Sequence, residues 1–191
     1  MTTSRFGCLA LAATLSISLS NLAATEEDFA PDNIIITGVR TPIAAGDMST
    51  AATVIGRDEL DLRQSFQLSD VLRDVPGLTV ARSGSAGSQA QIRMRGSEAN
   101  HVLVLIDGVE VNDPASGDEF LFEHLSAMEV ERIEIIRGPQ SALWGSDAVS
   151  GVINIVTRKG VEGFDGGMTF EGGSFDTMRS SVRFAFGEGK W

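Results

Sequence analysis

Residues 101–113 read HVLVLIDGVEVND, and this stretch restricts the fold more than any other. Its first half is a nearly continuous apolar run, which reads as a strand ending at Asp107-Gly108. An Asp-Gly pair is favoured where both central residues of a tight turn need positive φ, so a short returning strand is expected after it. A chain that carries this signal must build a sheet, and 42% hydrophobic content over 191 residues is enough for one ordinary domain with appendages. The 21 glycines and the 6% share of aromatic residues favour many turns over a helical bundle, so a loop-rich mixed α/β module is expected.

Around this hairpin the other elements follow from periodicity. STAATVI, residues 49–55, reads as a short strand, and Asp58 can cap a brief helical turn at DELDLRQ. Leu68, Val71, Leu72 and Val75 fall at helical spacing before Pro76 and Gly77 stop the helix, and their apolar face is core. LTVAR is a strand, SGSAGSQ a flexible loop, and QIRMRG a strand alternating Ile92 and Met94 with Arg93 and Arg95. After the polar loop NDPASGDE come a helical turn around Phe122 to Met128 and the strand RIEIIRGP, ended by Gly138 and Pro139. QSALWGSDAVSGVINIVTRKG supplies a helical turn, a glycine-punctuated bend and a last strand over residues 152–157.

Two segments have a different character. Before the sheet, PDNIIITGVRTP places three consecutive isoleucines between Pro31 and Pro42, an extended run that its prolines and Gly38 keep short. It follows a leader, residues 1–24, in which Arg5 precedes an apolar stretch and SNLAAT offers small residues near Ala24, as expected of an export signal. Acidic residues 25–31 read as a flexible lead-in. After the sheet, Met168, Phe170, Val182, Phe184 and Phe186 alternate with Thr169, Glu171, Ser181 and Arg183. That alternation fits a membrane barrel hairpin with a wet lumen and an ordinary half-buried hairpin nearly equally.

Several functions are disfavoured at once. A net charge of -11 argues against nucleic acid as a partner, because binding phosphates requires basic surface. His101 and His124 lie apart from each other and from cysteine, so no transition-metal site is expected. Phosphate-loop, dinucleotide and nucleophile-elbow patterns are missing, which leaves no catalytic set. Asp107, Glu110, Asp113, Asp118 and Glu119 do not match the spacing of a calcium loop and read as a solvated polar segment. Cys8 lies inside the leader, so the mature chain would carry no disulfide.

IRMRGSEANHVLVLIDGVEVND and VERIEIIRGPQSALWGSDAVSGVINIVTRK together resemble the TonB-dependent outer-membrane receptors, most closely the cobalamin-receptor type, over residues 32–160. The resemblance implies an α+β fold: a small mixed β-sheet plug with short helices, followed by one antiparallel barrel-type hairpin. It implies a signal peptide over 1–24, a flexible N-terminus with a TonB box over 25–42, a plug over 43–160 and first barrel strands over 161–191. Asp32, Asn33, Ile34, Ile35, Ile36, Thr37 and Gly38 align with the TonB box, an extended peptide that adds a strand to the C-terminal domain of TonB. The competing reading is a terminal strand docked on the chain's own sheet.

By the same comparison Ser83, Gly84, Ser85, Gly87, Ser88 and Gln89, with Asn112, Asp113, Ser116 and Gly117, look like loops that meet a bulky small-molecule substrate. Arg93, Arg95 and Arg137 are expected to face carboxylates of the barrel wall, or else to be plain surface arginines. The resemblance implies no cofactor, no metal and no covalent catalysis, and a place in the cell outer membrane. A barrel of about 22 strands needs roughly 10 residues per strand, so residues 161–191 supply about two, and a truncated receptor is expected. The rival expectation is a stand-alone secreted or periplasmic binding module built on the plug scaffold.

Overall fold

The computed structural model describes residues 35–36, 43–44, 50–85, 87–159, 163–174, 176 and 178–187. The leader, the acidic lead-in and Asp32, Asn33, Ile34, Thr37 and Gly38 of the expected TonB box lie outside the described residues.

The centre is a five-stranded mixed sheet in the order β3-β8-β9-β6-β7. Its strands are β3 (Ala51–Ile55), β6 (Val102–Ile106), β7 (Val109–Glu110), β8 (Val130–Arg137) and β9 (Gly151–Thr157). The apolar run of residues 101–106 becomes β6, lying parallel to β9 with Val102 opposite Gly151 and Ile106 opposite Ile155. Asp107 and Gly108 turn the chain with φ of 51° and 82°, which returns it as β7. The Asp107 carboxylate also holds the far end of β9, accepting hydrogen bonds from the Thr157 backbone N–H at 2.9 Å and from its Oγ1 at 2.6 Å.

Because side chains alternate along each strand, the sheet has two different faces. One presents Ile55, Val102, Val104, Ile133, Ile135, Ile153 and Ile155, all buried. It is covered by α1 (Arg57–Arg63), α2 (Leu68–Leu72) and the hairpin of β4 (Leu78–Arg82) and β5 (Ala90–Met94). Leu68, Val71, Leu72 and Val75 fill this core as their spacing predicts, with Ile92 and Met94 from β5. Each such side chain contributes about 1.5–3 kcal/mol through the apolar area it removes from water. The opposite face carries Leu103, Leu105, Ile136 and Val152 packed with Ala148 and Trp144, the last from α3 (Ser141–Trp144). Two buried polar residues interrupt it. Glu134 accepts hydrogen bonds from Arg132 Nε and from Asn154 Nδ2, each at 2.9 Å, while Asn154 Oδ1 accepts from the Gly108 N–H at 3.3 Å. The turn, β8 and β9 are thereby joined through side chains as well as through the ladder.

Two local expectations are corrected. Asp58 does not cap α1: the cap is Gly56, and Asp58 and Glu59 lie inside the first turn, where carboxylates suit the positive end of a helix. The turn expected around Phe122 to Met128 is two 3-10 turns, Phe122–His124 and Ala127–Glu129, separated at Leu125 and Ser126. The break lets the Leu125 carbonyl accept from the Leu68 N–H and the Ala127 N–H donate to Phe66, so long-range bonds replace the helical ladder.

Beyond the sheet, β10 (Gly163–Gly172) and β11 (Met178–Gly187) form an antiparallel hairpin with Met168 opposite Val182 and Phe164 opposite Phe186. At the other end, β1 (Ile35–Ile36) pairs antiparallel with β2 (Ile43–Ala44) as a separate two-stranded ribbon.

Candidate functional site

The residues singled out in the sequence fall into three places. The first is the isoleucine run, of which Ile35 and Ile36 are described: their backbones pair with Ala44 and Ile43. They join a neighbouring stretch of their own chain and not the five-stranded sheet, because β-branched residues favour the extended backbone that any adjacent strand can complete.

The second place comprises the two polar loops, linked through the residues that follow each of them. Gln91, at the start of β5, donates from Nε2 to Glu119 Oε2 at 2.6 Å, tying the hairpin that carries residues 83–89 to the loop that carries residues 112–119. The Ala90 N–H adds a bond to Glu123 Oε2 at 3.3 Å. The loops differ in how much hydrogen-bonding capacity they leave open. Ser83, Gly84, Ser85 and Gly87 are exposed, closed by the Ser83 N–H to the Gln89 carbonyl and by the Ser88 N–H and Oγ to the Ser85 carbonyl. Asn112 is committed to its own chain: Oδ1 accepts from the Val104 N–H at 2.8 Å, and Nδ2 donates to the carbonyls of Val102 and Asp118. It therefore continues the β7 side of the ladder with a side chain in place of a backbone.

Asp113 caps the 3-10 turn Pro114–Ser116, accepting from the Ala115 N–H at 2.9 Å and from Ser116 Oγ at 2.8 Å. The Ser116 hydroxyl, then the Ala115 N–H, hold the Asp113 carboxyl below its ordinary value by favouring the charged form. Gly117 ends the turn at φ 75°, where a side chain would be strained. Loop 112–117 thus presents a preset shape, and loop 83–89 presents small exposed polar groups.

The third place is a corner where Arg95 and Arg137 approach the glycine turns at Gly77 and Gly138. Arg137 donates from Nη1 to the Pro76 carbonyl and from Nη2 to Thr53 Oγ1, both at 2.7 Å, which clamps the turn before β4 onto β3. Arg95 is exposed, with φ 52°, just past the end of β5. Arg93 points to solvent farther along β5, its Nη2 3.5 Å from Gln91 Oε1, so it does not join the other two.

A fourth region carries no signal in any single motif: the space between the plug-like sheet domain and the β10–β11 hairpin. The inward face of the hairpin holds Asp165, Glu171, Arg179 and Arg183, while Phe164, Met168, Phe170, Val182, Phe184 and Phe186 on the outward face are 51–75% exposed. Arg183 bonds Asp165 on the opposite strand and lies 3.5 Å from Glu129 Oε2 of the sheet domain. The Arg179 guanidinium stacks over the Phe66 ring at 4.2 Å and pairs with Glu171 at 2.9 Å. Facing them, Arg57 pairs with Asp61 and donates from Nη1 to the carbonyls of Ala127 and Val130 at 3.1 and 2.9 Å. The hydrogen bond to Asp61 raises the Arg57 value, with desolvation opposing it, and the same bond lowers that of Asp61. Among the described residues no cluster of His, Cys, Asp and Glu could hold a metal ion.

A hairpin polar toward a neighbouring domain and apolar on its other face is the geometry expected of a barrel wall beside a plug. The sheet domain and hairpin therefore define a class: an α+β plug-type domain with a small mixed sheet and short helices, followed by one antiparallel barrel-type hairpin. The family model described as the TonB-dependent Receptor Plug Domain matches residues 44–152, and the chain belongs to that family. The chain is 37% identical over 150 residues to the vitamin B12 transporter BtuB of Vibrio vulnificus, covering 78% of this chain and 24% of the relative. It spans about a quarter of that relative's length.

Among solved structures, a mutant ferric enterobactin receptor, PfeA, of Pseudomonas aeruginosa in complex with enterobactin is similar with a TM-score of 0.53 and 29% identity. That match covers 64% of this chain and 20% of PfeA. The pyoverdine outer membrane receptor FpvA of Pseudomonas aeruginosa bound to pyoverdine matches with a TM-score of 0.68 over 85% of this chain and 23% of FpvA. At 22% identity, this last likeness shows a shared fold alone.

Proposed function

We propose that this chain is the plug region of a receptor that takes up a scarce, bulky nutrient such as cobalamin or a ferric siderophore. The observation that carries the proposal is the two-faced hairpin, with its charges turned to the plug and its phenylalanines turned away. Such a hairpin belongs in lipid only as part of a closed barrel, and a plug belongs in such a barrel only as a gate. The 37% identity to a vitamin B12 transporter favours cobalamin, and the likeness to an enterobactin receptor keeps a siderophore as the other candidate.

In this reading residues 1–24 are the leader, 25–42 the TonB-binding segment, 43–160 the plug and 161–191 the first wall strands. Loops 83–89 and 112–117, tied together by Gln91 and Glu119, meet the substrate from the plug side. Loop 112–117 supplies shape, and Ser83, Ser85, Ser88 and Gln89 supply adaptable hydrogen bonds. Arg95 and Arg137 at their shared corner, and Arg93 apart from them, offer guanidinium groups to wall carboxylates. The run Asp32 to Gly38 adds as a strand to the C-terminal domain of TonB, main-chain bonds supplying affinity and the isoleucines the fit.

The test is calorimetry of a peptide covering residues 32–41, and of the full chain, against a TonB C-terminal domain. Micromolar binding by both is expected; silence from both would remove the docking assignment.

A further inference from the structure

Loop 83–89 springs from Arg82 and Ala90, the paired residues that end the β4–β5 ladder. Ser83, Gly84, Ser85 and Gly87 are exposed, but the base of the loop is gripped on both legs. On the β4 leg Arg82, 16% exposed, donates from Nη2 to Ser69 Oγ at 2.8 Å and to Asp70 Oδ1 at 2.9 Å, both in the first turn of α2. Ser69 is fully buried, so this link lies inside the domain and is shielded from competing water. On the β5 leg the Ala90 N–H donates to Glu123 Oε2 at 3.3 Å, and Gln91 Nε2 to Glu119 Oε2 at 2.6 Å.

The two grips are also joined to each other. At the head of α2 the Leu68 N–H donates to the Leu125 carbonyl at 3.1 Å, Gln67 Nε2 reaches the Glu123 carbonyl at 3.4 Å, and Gln67 forms a β-bridge with Ser126. From Arg82 the bonds run to α2, on to residues 123–126, back to Ala90 and across the ladder to Arg82 again. The base of the loop is therefore a closed ring. Arg82 contributes its ion-paired link, and bonds to charged groups are about twice as strong as neutral ones. Opening one link of a ring frees both legs, whereas cutting a side branch frees only one.

We propose that Arg82 is a positioning residue for loop 83–89: by closing this ring it fixes the base of the loop in one orientation relative to residues 112–119, and leaves only the tip of serines and glycines to adapt. Its use in recognition rests on the reading of loop 83–89 as substrate-facing, to which it adds the residue that aims the loop. In the sequence Arg82 is marked only as the last residue of LTVAR, because Ser69 and Asp70 come within its reach only when β4 packs on α2.

The test measures amide hydrogen exchange by NMR on the full chain in detergent micelles. Arg82→Gln should speed exchange about tenfold at the Ser83 N–H, which bonds the Gln89 carbonyl, and also at the Ala90 N–H on the other leg. No hydrogen bond joins Arg82 to Glu123, so a change at Ala90 is the signature of the ring. Ser69→Ala combined with Asp70→Ala cuts the same link from its other end; it should reproduce the pattern and add nothing to Arg82→Gln. Residues 133–136 of β8 should exchange as in the parent chain. An Ala90 amide that does not respond, additive effects of the two cuts, or acceleration that spreads to residues 133–136 would each overturn the assignment. Titration with vitamin B12 and then ferric enterobactin, followed by the amide shifts of residues 83–89, reads the use of the loop. A probe that shifts the parent loop should bind Arg82→Gln about five- to tenfold more weakly, and equal binding would refute a positioning role. If neither probe moves the parent loop, the substrate reading of that loop falls, while the exchange pattern still decides the ring.

Discussion

Gly151 opens β9 at the point where three layers of the plug touch. It stands opposite Arg137 of β8 and Val102 of β6, and Met94 of β5 lies beneath it, fully buried. A Cβ built there comes closer than 3.0 Å to both the Ile136 carbonyl oxygen and the Met94 sulfur, with Met94 Cε at 3.1 Å. The methionine could swing aside at modest cost, but the carbonyl oxygen belongs to the neighbouring strand. Relief for Gly151→Ala therefore requires β8 and β9 to separate by several tenths of an ångström at their shared end. Overpacking of this kind costs about 1–3 kcal/mol. Loosening the adjoining bonds from Gly138 N–H to the Ser150 carbonyl and from Ser150 N–H to the His101 carbonyl adds roughly 1 kcal/mol each.

The expected total is about 3–5 kcal/mol, or a fall in melting temperature of roughly 6–20 °C for a chain of this size. Gly151 also has a positive φ, 157°, so Gly108→Ala is the control for backbone strain: its φ is 82° and nothing lies within 4 Å of the added carbon, so a backbone penalty of about 1–2 kcal/mol applies there without a clash. Urea unfolding followed by far-ultraviolet circular dichroism measures both. If Gly151→Ala loses no more than Gly108→Ala, the clash with the β8 backbone does not govern this position and the packing account fails.

Further outcomes follow from the same geometry. Ile35→Pro takes a backbone donor from the isoleucine run and should weaken binding to a TonB C-terminal domain at least about tenfold, read by calorimetry; unchanged affinity would exclude strand addition. Asn154→Ala removes the donor to Glu134 Oε2 and the acceptor of the Gly108 N–H in the interior of the sheet, and should lower stability by about 1–3 kcal/mol in the same urea assay. Asp113 has a folded value below its ordinary 3.8, so its contribution to loop 112–117 is complete above that pH and is lost as the pH falls through the folded value. Carbon-detected NMR titration should show Ser116→Ala moving the Asp113 midpoint upward, toward 3.8, because the Ser116 hydroxyl is the chief cause of the depression. A midpoint that stays in place would show that the hydroxyl does not stabilise the charge.

Much of this protein was legible in its sequence because short-range patterns encode short-range geometry. The helical spacing of Leu68, Val71, Leu72 and Val75 announced a buried face, and Asp107-Gly108 announced a turn with two positive φ angles. The site was legible only in outline. Asn112 was readable as a polar loop residue, yet its side chain is spent on Val102, Val104 and Asp118, partners that come within reach only once β6 and β7 have paired. Glu123 and Glu119 gave no hint that they would tie the tip of one hairpin to the neighbouring loop.

The hairpin marks the boundary most sharply. Alternation of Phe164, Met168 and Phe170 with Asp165, Thr169 and Glu171 determined two unlike faces, since successive strand residues point to opposite sides. Nothing in that period says which face meets protein. Tertiary structure decided it by seating Arg179 on Phe66 and Arg183 beside Glu129, residues about 113 and 54 positions earlier in the chain. Sequence by itself determined the elements and the unlike faces they present. Which strand lies beside which, and which face turns inward, depends on contacts between distant residues that no local period contains.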